Sequence, residues 1–261
     1  MSKYEQILSA RRTWNSYPVE PSEFDYDCLD RILCIGLNME LPVGEWVLQA
    51  SKGEIPDEDG SYRLLKANCA DEAVHYRGFK QFEDSYGVYY NYYDEAERLA
   101  QEWAKCADKH HFLKVAGTLE TSVFLMTLFT MRFFGTQDFA NLSEDVSRDE
   151  QRHITTNELM LNEWDDTLFS IPSDLERLRK ETLDWVFSDF NIPHLGLDKD
   201  WMMHQSYLLI TDGYAPDMEE MSDIQTYVPP FETSNARQYW VTALSNWQVT
   251  HKALEWVNSL L

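Results

Sequence analysis

The fold is decided by residues 120–153, ETSVFLMTLFTMRFFGTQDFANLSEDVSRDEQRH. Their first half belongs to a segment, residues 111–135, that is apolar almost all round, and a helix of that kind lies in a protein core. Gly135 is a suitable end for it, and Thr136 is a suitable N-cap for the amphipathic segment that follows. The stretch therefore predicts two antiparallel helices joined by a tight turn.

Helical periodicity also dominates the rest of the chain. The 261 residues are 44% hydrophobic, which is typical of a globular protein, and few glycines or prolines interrupt the periodic segments. No convincing strand pair, internal repeat or low-complexity tract is present, and a Pro-rich acidic loop is expected at 215–233. We therefore predict an all-α fold and one domain over residues 1–261. The predicted helices cover residues 24–53, 61–87, 88–110, 111–135, 137–164, 173–190, 198–214 and 234–261.

Charge and cysteine usage narrow the class of protein. The net charge of −23 gives an acidic surface that repels phosphate, so nucleic acid is not expected as a partner. No run of about 18 apolar residues predicts a membrane span, and the N-terminus lacks the apolar region of a signal peptide. No CxxC pair is present, and the four cysteines are expected to be reduced thiols of a cytoplasmic protein. They are Cys28, Cys34, Cys69 and Cys106.

Two Glu-x-x-His motifs carry the chemistry. Glu72 and His75 lie in NCADEAVH, and Glu150 and His153 lie in VSRDEQRH. Residues three apart on a helix face the same way, so each motif directs an oxygen and a nitrogen ligand at one point. A di-metal carboxylate site in a four-helix bundle needs one further Glu or Asp from each of two other helices.

Glu120 supplies one of these carboxylates. It lies in the middle of the most apolar segment, where a lone charge costs several kcal/mol unless it is paired or bound to metal. Glu120 is 15 residues before Gly135, and Glu150 is 14 residues after Thr136. Equal distances from the turn of an antiparallel hairpin predict that Glu120 and Glu150 face each other.

The other carboxylate has two candidates, Glu40 and Glu45. If the turn between the first two helices is centred near residues 55–57, Glu40 is level with Glu72, and Glu45 is more than one turn out of level. We therefore prefer Glu40, with Glu45 as the alternative.

The predicted ligand set has four carboxylates and two imidazoles. Four negative charges balance two divalent cations, and oxygen-rich ligation with one imidazole per metal suits Fe or Mn. Glu72 and one of Glu120 or Glu150 are expected to bridge the ions. Asp149 lies about 100° round the helix from Glu150, so we expect it to hydrogen-bond a ligating His instead. The set is Glu40, Glu72, His75, Glu120, Glu150 and His153.

These motifs resemble the small, radical-generating subunit of class I ribonucleotide reductase. That family carries an Arg-Asp-Glu-x-x-His run where this chain has RDEQRH, and the resemblance covers roughly residues 25–230. MELPVGEW occupies the place of the family's first carboxylate, and HLGLDKDWMMHQSYLLITDGYAP resembles its downstream segment. The resemblance implies a ferritin-like four-helix bundle core with additional helices, a homodimer, and an Fe/Fe or Mn/Fe centre. It also implies that the centre activates O₂ and supplies a one-electron oxidant to a large subunit.

Two departures concern electron transfer. The family usually has a redox Tyr four residues after the first motif's His, where this chain has Phe79, and a subgroup with Phe there uses a Mn/Fe centre. The family also uses an upstream Trp, for which Trp14 is the one candidate before Glu40, and a C-terminal Tyr, although no Tyr follows Tyr239 here. Three other tyrosines could substitute for the missing one: Tyr62, Tyr76 and Tyr86.

Two other functions stay open. The same ligand scaffold resembles self-contained di-metal oxygenases, such as hydroxylases and aldehyde-deformylating enzymes, and an open apolar pocket reaching the metals would distinguish this class. A non-catalytic metal-binding relative is the third reading. If the chain acts as a ribonucleotide reductase small subunit, Asp149 with His75 or His153 is expected to serve proton-coupled transfer. In the oxygenase, the residues expected to line a substrate channel are Phe79, Phe124, Met126 and Phe129.

Overall fold

The computed structural model describes residues 2–9, 11, 14, 26–50, 60–88, 90–163, 166, 170–192 and 197–210. The described part is all-α, as predicted, apart from one antiparallel pair of two-residue strands that no sequence pattern indicates. The predicted loop at 215–233, the predicted helix at 234–261 and Tyr239 lie outside it. The elements in chain order are α1 Lys3–Ser9, α2 Asp27–Ala50, α3 Ser61–Tyr86, α4 Tyr90–Ala107, α5 Phe112–Leu119, a π-helical turn Glu120–Phe124, α6 Leu125–Phe134, α7 Gln137–Glu163, α8 Ser173–Val186, β1 Asn191–Ile192, β2 Leu197–Asp198 and α9 Lys199–Ile210.

Helices α2 and α3 form the first antiparallel pair. Asp27 and Asp30 lie in the first turn of α2, where a carboxylate complements the helix dipole. Gly87 ends α3 as predicted: its φ of 77° is easy only for glycine, and its N–H donates to the Glu83 carbonyl. The pair packs closely, because a Cβ on Gly36 would come within 2.6 Å of the Phe79 ring.

The predicted apolar helix at 111–135 is not continuous. It is divided into α5, the π turn and α6, and the Leu125 N–H donates to the Glu120 carbonyl five residues back. The span Phe112–Arg132 is long and apolar enough to cross a membrane by length and composition, but 94% of its most apolar window is buried inside the protein. This agrees with the prediction of a core helix.

Helix α7 begins where the sequence predicted. The Thr136 hydroxyl accepts a hydrogen bond from the Phe139 N–H at 3.3 Å, so Thr136 is the N-cap. The Ser143 hydroxyl donates to the Leu128 carbonyl, which ties α7 to α6.

The four longest core segments contact one another in a closed order. Helix α2 contacts α3 and α5, α3 contacts α7, and α7 contacts α5, the π turn and α6. Helices α4, α8 and α9 pack outside this group, against α2, α5 and the π turn. The interior faces of α2, α3, the π turn and α7 therefore meet at one place.

Candidate metal centre

Six buried residues meet where these four segments converge. Glu40 comes from α2, Glu120 from the π turn, and one Glu-x-x-His motif each from α3 and α7. Glu40 is 1% exposed, and the other five side chains are fully buried. They are the six predicted metal ligands: Glu40, Glu72, His75, Glu120, Glu150 and His153.

The inner nitrogen of His75 faces three carboxylates. Its Nδ1 lies 3.0 Å from Glu72 Oε2, 3.2 Å from Glu40 Oε2 and 3.3 Å from Glu150 Oε1. A single ring N–H is shared poorly among three anionic acceptors, whereas a cation satisfies all of these atoms at once.

The second motif also contains buried polar atoms that a metal ion would satisfy. His153 Nδ1 lies 2.9 Å from Glu72 Oε1 and 3.7 Å from Glu150 Oε2, yet no hydrogen bond of acceptable geometry joins these atoms. Both oxygens of Glu150 and Oε1 of Glu120 also lack a hydrogen-bond partner among the described residues. Buried polar atoms are nearly always satisfied, so these lone pairs fit a bound metal ion.

The donor atoms form two groups, and within each group all of them lie within 4.8 Å of one another. The first group is Glu40, Glu72, His75 and Glu150, and the second is Glu72, Glu120, Glu150 and His153. Glu72 and Glu150 belong to both, so these two carboxylates are shared by the two groups. The sequence had left Glu120 and Glu150 as alternatives for the second bridge.

The register of α2 against α3 differs from the prediction. Glu40 is opposite His75, and Gly44 is opposite Glu72, where a Cβ on Gly44 would lie 3.1 Å from the Glu72 Cβ. The predicted level for Glu40 was therefore wrong by about one turn, because the sequence does not reveal where the hairpin turn is centred. Glu40 still joins the site, since Glu45 is on the exposed face of α2.

Each histidine faces an aspartate from the opposite helix. His75 Nε2 on α3 lies 3.4 Å from Asp149 Oδ2 on α7, and His153 Nε2 on α7 lies 3.6 Å from Asp71 Oδ2 on α3. In the tautomer that carries its proton on Nε2, each imidazole presents Nδ1 to a metal ion. Asp71 was missed from the sequence, although an Asp precedes the Glu in both motifs.

Buried Arg152 joins these two aspartates. It donates from one guanidinium nitrogen to Asp149 Oδ1 at 2.8 Å and from another to Asp71 Oδ2. Two residues near the N-terminus also contact these aspartates. Arg11 pairs with Asp71, and the indole N–H of Trp14 donates to Asp149 Oδ2 at 2.8 Å.

Trp14 also contacts one of the predicted metal ligands directly. Its ring stacks on His75 with centroids 5.4 Å apart and an interplanar angle of 22°. Trp14 therefore contacts the site twice, through Asp149 and through the imidazole face.

Glu120 has a different partner from the other ligands. Asn157, one turn after His153 on α7, donates from Nδ2 to Glu120 Oε2 at 2.6 Å. This bond leaves Oε1 of Glu120 for a metal ion. Sequence reasoning did not single out Asn157, because a lone Asn in a helix has no specific signature.

The aromatic residues predicted to line a channel are buried. Phe79 lies one turn after His75 with its ring against Gly36. Phe79, Phe124 and Phe129 are each 3% exposed, and Met126 is fully buried. These side chains belong to the hydrophobic core.

Burial and mutual charge perturb the ionisation of the ligands. Burial raises the pKa of Glu40 and of Glu120 well above the ordinary value. Burial also acts to raise the pKa of Glu72, but the His153 and His75 charges outweigh it and the pKa falls. Burial acts to lower the pKa of both histidines, and the surrounding carboxylates outweigh it, so both values rise.

We expect metal binding to release protons. Glu40, Glu120 and the two histidines all have raised pKa values, so the metal-free site holds its protons to higher pH than ordinary side chains do, and a cation must displace them. Apparent affinity for Mn(II) should therefore increase as the pH rises, because fewer protons then compete with the cation. Calorimetric titration in buffers of different ionisation enthalpy measures the protons released, and an affinity independent of pH would contradict this expectation.

Comparison of the chain with known protein families, curated proteins and solved structures finds no match. The site is therefore interpreted from its own geometry and from the motif resemblance described above.

Proposed function

We propose that this chain is a di-metal carboxylate protein that binds Fe/Fe or Mn/Fe and activates O₂. The observation that carries the proposal is the convergence of four buried carboxylates and two imidazole nitrogens from four segments. Such a cluster of charge is costly in a protein interior unless cations balance it. Oxygen-rich ligation with one imidazole per ion suits Fe or Mn.

Within this class, we propose a role like that of the ribonucleotide reductase small subunit. The contacts of Trp14 support this role, because that family uses an upstream Trp in long-range electron transfer. Here the indole is hydrogen-bonded to Asp149 and stacked on His75. A large subunit and a homodimer are further expectations from the resemblance.

The protein's own residues would organise this chemistry. When bound, the metal pair supplies the reduction of O₂. Asp149 and Asp71 face the Nε2 atoms of the two histidines, whose Nδ1 atoms are directed inward, and Arg152 fixes the two aspartates relative to each other. The six ligand side chains are each at most 1% exposed, so bulk water is kept away from the site.

Electron paramagnetic resonance tests the proposal. Metal-free protein is loaded with Fe(II), alone or with Mn(II), and exposed to O₂. A persistent radical or a mixed Mn/Fe signal is expected for the radical-generating role. An EPR-silent centre that has consumed O₂ would favour an oxygenase, and failure to bind either metal would overturn both.

Replacing Trp14 by Phe should separate metal binding from electron transfer. The variant keeps an aromatic ring against His75 but loses the hydrogen bond to Asp149. We expect wild-type metal stoichiometry and at least about a tenfold slower reduction of the oxidised centre by ascorbate, which corresponds to about 1.4 kcal/mol of barrier. Stopped-flow absorbance measures the rate.

Trp185→Phe is the matched control, because Trp185 lies on α8 against Tyr92, outside the metal centre. It should reduce at the wild-type rate. Equal rates in the Trp14 variant and the wild type would remove Trp14 from the electron path.

One observation favours a stand-alone oxygenase as a second candidate. Phe79, where the resemblance implies a redox Tyr, is buried and has no group that can lose a proton with its electron. In this case the loaded protein should oxidise an added apolar compound with uptake of one oxygen atom from ¹⁸O₂, which mass spectrometry detects.

A further inference from the structure

Two asparagines lie level with each other beyond the metal centre. Helices α3 and α7 are antiparallel, and Glu72 of α3 is opposite His153 of α7. One turn back along α3 from Glu72 is Asn68, and one turn on along α7 from His153 is Asn157. Since both steps move in the same direction in space, the two carboxamides face the same level of the interior.

These carboxamides are buried without enough partners. Asn68 is 1% exposed, and neither its Nδ2 nor its Oδ1 has a hydrogen-bond partner within the described part of the chain. Asn157 is fully buried; its Nδ2 donates to Glu120, but its Oδ1 is also unpartnered there. An unsatisfied buried amide costs on the order of 1–3 kcal/mol, so an Asn is poorly suited to this position unless it binds something.

The two carboxamides do not satisfy each other. Asn68 Nδ2, Asn68 Oδ1 and Asn157 Oδ1 are all without a hydrogen-bond partner among the described residues, so no hydrogen bond joins Asn68 to Asn157. One turn further from the metal centre, Leu65 of α3 and Met160 of α7 are buried and apolar, so their side chains offer no polar partner either.

We propose that Asn68 and Asn157 form a binding subsite for a small neutral molecule or group that both donates and accepts hydrogen bonds. Asn68 offers two N–H donors and a carbonyl acceptor, and Asn157 offers its carbonyl. An anion is disfavoured by the nearby carboxylates, and a cation binds better to the carboxylate and imidazole ligands. The matching chemistry is a hydroxyl or a primary amide, and its sources are solvent water or a small organic substrate.

The guest would also orient a metal ligand. A hydrogen bond donated to Asn157 Oδ1 fixes which end of the carboxamide carries the N–H groups, and those N–H groups face Glu120. Guest binding thereby sets the position of Glu120. The subsite itself rests on the two asparagines and not on the proposed O₂ chemistry, so it can be tested in metal-free protein.

A high-resolution crystal structure of the metal-free full chain is the first test. We expect electron density within hydrogen-bond distance of both Asn68 and Asn157. Density that is unchanged after soaking with acetamide identifies water, and density replaced by acetamide identifies a site for amide- or hydroxyl-bearing substrates. Absence of density between the carboxamides overturns the proposal.

The stability of Asn68→Leu is an independent test. Leu has nearly the shape of Asn, so if no guest is bound, the variant removes only an unsatisfied amide and its Tm should be equal to or above that of the wild type. If a guest is bound, the guest loses its partner beside an apolar side chain, and we expect a Tm lower by about 2–4 °C. An equal or higher Tm overturns the subsite.

Thr156→Val is the control, because the buried Thr156 hydroxyl bonds the Arg152 carbonyl of its own helix and no other group among the described residues. Its Tm sets the scale for losing one local buried hydroxyl. The metal stoichiometry of Asn68→Leu, measured separately, shows whether the metal centre survives, so failure of the subsite and failure of the metal site are distinguishable.

Discussion

Replacing Glu72 by Gln is expected to abolish binding of both ions of the proposed metal pair. Glu72 belongs to both groups of donor atoms, with one oxygen 3.0 Å from His75 Nδ1 and the other 2.9 Å from His153 Nδ1. Gln keeps the shape but replaces a bridging anion by a neutral amide. We expect bound metal to fall from two ions per chain to well below one. The loss of affinity should exceed the 10–100-fold typical of outer-shell changes.

Metal analysis after gel filtration measures this change, and circular dichroism shows that the helices remain. Glu45→Gln is the matched control, since Glu45 is exposed on α2. It makes the same chemical change near the site and should leave two ions bound. A Glu72→Gln protein that retains both ions would contradict the assignment of a shared bridge.

The second large effect is a loss of stability when Arg152 is replaced, and it should appear in the metal-free protein. Arg152 is the buried cation that pairs with both Asp71 and Asp149. Arg152→Met keeps much of the packing volume but leaves two buried carboxylates without this partner. Breaking a buried pair from one side costs about 3–5 kcal/mol, and we expect a loss of that size in the free energy of unfolding.

Urea denaturation of metal-free protein gives the free energy. Arg148→Met is the matched control on the same helix, because Arg148 is exposed and pairs with exposed Glu144. That change should cost less than about 1 kcal/mol. Equal losses in the two variants would show that the Arg152 pairs do not stabilise the fold.

Much of the fold followed from local sequence signals. Gly87 ends α3 because its backbone conformation disfavours other residues, and Thr136 starts α7 because its hydroxyl caps the helix. The two Glu-x-x-His motifs could be recognised because side chains three residues apart on a helix point in the same direction. These features depend on residues a few positions apart along the chain, so they can be recognised in a single sequence.

Features that depend on tertiary packing were not predicted. The π turn at Glu120–Phe124 inserts one residue into an apolar helix, and nothing in its composition distinguishes it from an α-helical turn. The predicted position of Glu40 relative to Glu72 was wrong because the sequence of residues 51–59 does not reveal the centre of the turn between α2 and α3. Arg11 lies outside every predicted helix, so its ion pair with Asp71, 60 positions later, had no local signal. Asp71 was predictable in principle from the repeated Asp-Glu pair.

The crossed pairing of Asp71 with His153 and Asp149 with His75 has a consequence for the protein in cells. Neither histidine is oriented until α3 and α7 have docked, so the unfolded chain has no preformed metal site. A metal that binds only the native state shifts the folding equilibrium by mass action. The abundance of the folded protein should therefore follow the cellular supply of the proposed metal, since proteases clear the chain that remains unfolded.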